Sequence, residues 1–301
     1  MTRIAALDIG SNSVLMCVGN PLPQGDFKVI YDSAQTSRLG EGLDQTGRLS
    51  PQAIQRTVEV LDGCRRKAEI LGVSIARAAA TAAVREAKNR DEFLASAEAA
   101  LGFPVEVLSG RREAELTFEG VSGSAYLDPL LIIDLGGAST ELVLADGGRL
   151  DRVESLPVGA ARMKEAIPSE DMLRTFVRMI EVVPSDLGTR TAHGRRVILV
   201  GGTITTYAAI RRKLTRYDAE LVEGQEFTRM ELSSMVEEVR GLTMEERIDL
   251  PGLPLSRCGI ITSGGLLLVE ILEELGVEHF TVSSRGLRHG ILREIARSGG
   301  K

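Results

Sequence analysis

Short apolar runs separated by glycine, serine and proline dominate the chain, and their spacing predicts strands alternating with amphipathic helices. The opening reads as strands at 4–9, 13–19 and 27–34, with a loop carrying Pro21 and Pro23 before the third. Val14 to Val18 is continuously apolar, as expected of a strand buried on both faces. Ser50-Pro51 predicts a helix start, with serine as N-cap and proline in the first turn. Ala53, Ile54, Thr57, Val58, Leu61, Cys64, Ala68 and Leu71 recur at helical spacing, and Gly72 is a natural stop. A strand at 75–80, a helix at about 89–101, a strand at 104–108 and a helix at about 110–121 complete one α/β set.

The pattern then restarts. Strands are expected at 130–135, 139–146 and 149–156, the last two joined by the hairpin signal Asp146-Gly147-Gly148. A helix around 169–183, a strand at 196–200 and helices at 203–212 and 231–241 follow. After a proline-rich loop at 251–254 come a helix at 259–274 and a strand at 279–283. Two domains are therefore expected, 1–122 and 123–284, with glycines around Gly110 and Gly123 as hinges and a cleft between the halves. The terminal helix 285–301 is left free to pack back on the first domain.

A motif recurs with the pattern. Ile4 to Leu7 leads into Asp8-Ile9-Gly10-Ser11-Asn12-Ser13, and Leu130 to Ile133 leads into Asp134-Leu135-Gly136-Gly137-Ala138-Ser139-Thr140. Each is a buried strand, an aspartate, and a tight turn whose N–H groups and hydroxyls can wrap a phosphate. An aspartate cannot bind phosphate directly, but it can hold Mg²⁺ or a water beside it. Two such loops suggest two half-sites acting on one phosphorylated substrate.

Composition narrows the function class. The 301 residues suffice for two domains, and 43% hydrophobic with 26% charged residues is a soluble globular profile. A net charge of −6 gives no nucleic-acid-binding signature, and no run approaches the roughly 20 apolar residues of a membrane span. Met1-Thr2-Arg3 enters a strand directly, without a signal-type apolar core. Cys17, Cys64 and Cys258 are scattered and odd in number, which argues against disulfides or zinc and suits a reducing cytoplasm. His193, His279 and His289, the only histidines, read as surface or packing residues, so acid/base work falls to carboxylates.

With these residues in view, the chain resembles the exopolyphosphatase/guanosine pentaphosphate phosphohydrolase family of the actin-like superfamily. Besides the two loops, the resemblance is carried by Arg38-Leu39-Gly40-Glu41-Gly42-Leu43, by Thr81 to Asn89, and by Ser109 to Leu116. Ser155 to Gly159, Gly201-Gly202-Thr203 and Ser284 to Gly290 complete the series. It implies a two-domain duplicated actin-like ATPase (ribonuclease H-like) α/β fold with an interdomain active-site cleft. The sequence departs from the family in three places. Ala138 stands where a third glycine is usual, and Arg112 and Glu115 reverse the common charges. The helical C-terminal region of long members does not follow residue 301, so short polyphosphate chains are the expected substrates.

The resemblance selects Glu113 as the catalytic carboxylate that orients and deprotonates water. Glu115 lies about 200° away on the helix, so both cannot face one cleft. Gly10, Ser11, Asn12, Ser13, Gly136, Gly137, Ser139 and Thr140 are the expected phosphate donors, with Arg38 and Arg85 forking onto phosphate oxygens. Asp134 and Glu141, with Asp8 acting through water, are the expected metal ligands, for Mg²⁺ or another divalent cation. The bland alternatives are a turn-capping aspartate, an exposed strand-edge glutamate and a surface arginine. Residues 190–217 hold seven basic residues and no acidic one, either a guide for a long polyanion or a solvated face.

The expected partner is inorganic polyphosphate, whose terminal phosphate would be released. pppGpp is the alternative substrate, and a ppGpp-binding sensor and a superfamily kinase are more distant readings. No nucleic-acid or membrane partner is expected, and a homodimer is left open.

Overall fold

The computed structural model describes residues 2–123, 128–177, 182–187 and 191–298. The chain divides into two compact units, one formed by 1–124 with 285–301 and the other by 125–284.

The first unit opens with β1 (Arg3–Ile9), β2 (Ser13–Pro21) and β3 (Phe27–Thr36), an antiparallel meander. There follow α1 (Leu43–Thr46), α2 (Pro51–Ile70), β4 (Val73–Ala80), α3 (Ala82–Glu86), α4 (Arg90–Leu101), β5 (Val105–Val107) and α5 (Gly110–Ser122). The sheet order is β3-β2-β1-β4-β5, with β4 parallel to β1 and β5 parallel to β4. Ser50 caps α2 as its pattern predicts, its side chain accepting from the Ala53 N–H, and Pro51 occupies the first turn. Alternation along β1 splits the core. Ala5, Leu7 and Ile9 join the cluster under α2 and α4, whereas Ile4 and Ala6 join Cys17, Leu108 and Leu116 on the other face. Asp8 continues the second row.

The second unit repeats this plan with β6 (Leu130–Leu135), β7 (Thr140–Asp146) and β8 (Arg149–Leu156). It continues through α6 (Ala160–Ala166), α7 (Glu170–Val177), β9 (Arg196–Val200), α8 (Gly202–Arg211), α9 (Ala219–Val222), β10 (Glu226–Thr228), α10 (Arg229–Gly241), α11 (Met244–Ile248), α12 (Ile261–Glu274) and β11 (His279–Val282). Its order, β8-β7-β6-β9-β11-β10, matches the first sheet position by position and adds β10 at the far edge. This shared order is the duplicated α/β arrangement expected from the repeated motif and the order of elements. The helix expected around 169–183 ends at Val177 in its described part, and Val182 to Pro184 are not helical. The short helices α1, α3, α6, α9 and α11 and strand β10 are additional to the elements expected from the pattern.

The last helix, α13 (Leu287–Arg297), belongs to the first unit and packs on α5 and β1. Glycines permit this crossing. A Cβ at Gly290 would sit 1.9 Å from the Leu116 carbonyl oxygen, and one at Gly120 would sit 2.2 Å from that of Gly286. Among the described residues no helix is long and apolar enough to cross a membrane.

Candidate active site

The two loops are built alike. In the first, the Gly10 N–H donates to the Ser13 carbonyl at 3.0 Å; in the second, the Gly136 N–H donates to that of Ser139 at 2.9 Å. Both N–H groups are thus spent within the turn, which corrects the expectation that Gly10 and Gly136 donate to phosphate. Neither glycine has positive φ. Their need is closeness, since a Cβ would lie 3.1 Å from Ser13 O at Gly10 and 3.0 Å from Ser139 O at Gly136. Ala138 likewise has no positive φ, so its methyl group costs no backbone strain.

In both loops the carbonyls are turned back into protein. The Ser37 and Arg38 N–H groups donate to Asn12 O, each at 3.0 Å, and Gly40 N–H donates to Ser11 O at 2.8 Å. In the second loop, Ala160 N–H donates to Gly136 O, those of Ala161 and Arg162 donate to Gly137 O, and Arg162 Nη1 donates to Ala138 O. The N–H groups of Ser11, Asn12, Gly137, Ala138 and Ser139 have no acceptor among the described residues. Each loop thus presents donors on one side and is braced on the other, as an anion cradle requires.

The hydroxyls differ in what they can offer. Ser13 Oγ accepts from Asn12 Nδ2 at 3.2 Å and keeps its own proton to donate. Thr140 is a correction to the expected donor set: its Oγ1 donates to Val158 O at 2.7 Å. A hydroxyl has one proton, so Thr140 braces the segment after β8 and has none left for phosphate.

Arg38 has φ 51°, a left-handed conformation that non-glycine residues seldom adopt. Its side chain is exposed and has no hydrogen-bond or ion-pair partner among the described residues. Arg85, on α3, donates through Nη1 to Leu108 O at 2.9 Å and to Glu113 Oε2 at 3.1 Å. Its other donors leave capacity for an anion. Glu113 lies in the first turn of α5, capped by Ser109, and its side chain is only 12% accessible. The Arg85 guanidinium fixes the orientation of its carboxylate.

Asp134 and Glu141 are register partners across the β6–β7 ladder, so both side chains emerge on one face. Glu141 is 2% exposed and accepts from Ser155 Oγ at 2.9 Å, which removes the exposed strand-edge alternative. The Asp134 carboxylate lies against Gly201, whose Cβ would be 3.2 Å from Oδ1. An all-oxygen pair of carboxylates on neighbouring strands fits a hard divalent cation. Asp8 occupies the matching place in the first unit, where it acts electrostatically on Arg288.

One further charged residue belongs to this neighbourhood. Arg257 presses its guanidinium on Gly202, where a Cβ would lie 1.9 Å from Nη2. The guanidinium has no hydrogen-bond or ion-pair partner among the described residues, and burial pushes its pKa down. A lone arginine after a proline-rich loop carries no sequence signal of this placement.

Comparison with known proteins gives the chemistry a class. Residues 22–298 match the sequence profile of the Ppx/GppA phosphatase family. The chain belongs to that family. Exopolyphosphatase 2 of Mycobacterium tuberculosis is 30% identical, in an alignment covering 98% of this chain and 99% of that protein. The crystal structure of an Aquifex aeolicus Ppx/GppA member has a TM-score of 0.79 at 27% identity, covering 100% of this chain and 99% of that one. An exopolyphosphatase from Cytophaga hutchinsonii, at 21% identity and a TM-score of 0.86, shares the fold over 99% of this chain and 98% of its own. As a Ppx/GppA member, the protein is a phosphoanhydride hydrolase.

Two features of the sequence now have a physical account. Arg112 and Glu115, the reversed charges, are paired at 3.5 Å, and Arg112 also bonds Glu294 on α13. Arg77 bridges Glu294 and Glu106, both at 3.0 Å. The reversal therefore serves a network that ties α5 to α13. The basic band of 190–217 also changes meaning. Arg190 lies outside the described residues; Arg195 donates to Ala145 O; Arg211 lies 3.6 Å over the Phe227 ring and donates to Gln225 and Glu226 O. Arg196, Arg212, Lys213 and Arg216 remain exposed.

Proposed function

We propose that this phosphoanhydride hydrolase releases orthophosphate from the ends of inorganic polyphosphate. The observation that carries the reading is the pair of braced loops with outward N–H groups, in a chain that also holds Glu113 on Arg85. Phosphoryl transfer passes through a loose transition state, so positioning and charge neutralisation matter more than a strong base. A carboxylate already paired with a guanidinium suits that demand.

In this reading the N–H groups of Ser11, Asn12, Gly137, Ala138 and Ser139, the Ser13 hydroxyl, and Arg38 and Arg85 bind phosphate oxygens. Glu113 orients the attacking water and takes its proton as the new P–O bond forms and the bridging P–O bond breaks. Asp134 and Glu141 would hold a divalent cation, with Asp8 contributing through water in its own unit. Such a cation, when bound, neutralises charge on the phosphate oxygens. Short chains are favoured as substrates, because the donors are few and Arg211 is withdrawn from the basic band by Phe227.

The test is orthophosphate release from polyphosphates of graded length, with pppGpp and ATP as comparators. Glu113→Gln should lower kcat by about 10²–10⁴-fold with little change in KM, the range of a lost acid/base group. Faster turnover of pppGpp than of any polyphosphate would replace the substrate reading with the guanosine pentaphosphate one.

A further inference from the structure

We infer that Arg56 is a positioning residue that presents Arg38 to substrate. The inference rests on the phosphate-binding reading of Arg38 and goes beyond it to the device that holds the side chain in place. Arg56 projects from α2 and contacts the 37–41 segment three times: Nε donates to Ser37 O at 3.1 Å, and Nη2 donates to Arg38 O at 3.4 Å and to Glu41 Oε2 at 2.6 Å. From its other side the same segment holds the first loop, through Ser37, Arg38 and Gly40 N–H donating to Asn12 O and Ser11 O. Arg38 stands between the two sets of bonds with φ 51°.

A left-handed arginine is costly and persists only where its surroundings over-determine it. Its amide is fixed by Asn12 O and its carbonyl by Glu41 N–H and Arg56. The guanidinium itself has no partner among the described residues. Strain is thus concentrated at the one residue of the segment whose charge stays available. Arg56 and Glu41 are themselves half-exposed, and their ion pair alone would contribute little. The fork onto two successive carbonyls is what a lysine could not reproduce.

A double-mutant cycle with tripolyphosphate tests this. Arg56→Met should raise KM about tenfold, as expected for losing a charge-assisted hydrogen-bond set, with kcat within about twofold. Arg56→Lys should recover only part of the loss. In an Arg38→Ala background, Arg56→Met should leave KM within about twofold of Arg38→Ala alone. A merely structural role would lower the melting temperature equally in both backgrounds and add its effect on KM in each. Additive KM effects in an active parent would overturn the positioning role alone. A parent that neither hydrolyses nor binds tripolyphosphate, by calorimetry, would overturn the phosphate-binding reading and the inference together.

Discussion

Gly159→Ala tests the second loop where the fit is tightest. Gly159 precedes α6 with φ −161°, extended backbone open to any residue, so the substitution carries no conformational penalty. The obstacle is contact: a Cβ would lie 2.6 Å from Ala138 N and from both Gly137 C and O. All three are backbone atoms of the loop, and none can swing away as a side chain would. Ordinary contact begins at 3.4 Å, so the loop or the start of α6 must move by about 0.8 Å. Overpacking of this kind costs about 1–3 kcal/mol, which a folded domain of ordinary stability survives. Misplacement near 1 Å at a reacting centre costs about 10²-fold in rate. The expected result is a folded protein with kcat/KM for tripolyphosphate reduced about a hundredfold. Gly63→Ala is the control: it lies within α2 with nothing within 4 Å of a Cβ, and should stabilise by about 0.5–1 kcal/mol without changing turnover. Phosphate release and thermal melting on both variants suffice. Gly159→Ala with activity within threefold of the parent would refute the loop's role.

Two further outcomes separate structural from functional charge. Arg211→Glu should lower stability by about 2–3 kcal/mol in denaturant unfolding, through loss of its Phe227 stacking and its bonds to Gln225 and Glu226 O, whereas Arg212→Glu should melt like the parent. His289 should make the fold sensitive to acid. Burial, then Arg288, Arg285 and Arg293, hold its pKa well below the usual histidine value, so it stays neutral when folded. The unfolded chain takes up a proton near pH 6.5, so this contribution is intact above that pH and is lost as pH falls below it, by about 1.4 kcal/mol per unit. Chemical unfolding at pH 7 and pH 5 should show a shallower loss in His289→Gln than in the parent.

Most of the fold could be read from the chain, because short apolar runs and a repeated Asp-x-Gly turn mark both sheets. What escaped was short. α11 begins with a capping box in which Thr243 Oγ1 accepts from Glu246 N–H, and α10 has the same device at Thr228 and Glu231. These four-residue signals were legible, yet a five-residue helix has too little apolar periodicity to announce itself. The site was legible in type rather than in allegiance. Spacing places Thr140 beside Ser139, but only the fold shows that its proton goes to Val158. The sequence separates Arg85 from Glu113 by a helix and a strand, and their 3.1 Å contact depends on how β4 and β5 pair.

Residue type can also suggest chemistry that packing then denies. Ligand atoms of Cys17, Asp32 and His289 lie within 4.8 Å of one another, a trio that by composition alone suits a soft divalent metal. Its hydrogen bonds oppose that use. Gly286 N–H donates to His289 Nδ1 at 3.2 Å, which leaves the ring proton on Nε2, the atom turned toward Cys17 and Asp32. Both Asp32 oxygens accept from Arg288, at 2.9 and 2.8 Å, and burial pushes the Cys17 thiol up to about 12. A metal there would have to displace a proton from each of two groups while facing an arginine already in place. The same contacts explain the trio without metal: they fasten the first turn of α13 to β2 and β3. Arg112 and Glu115 act alike at the other face of that helix, through Glu294. In both places, residues that look like altered or additional chemistry secure α13, and with it the face of the sheet from which Asp8 projects.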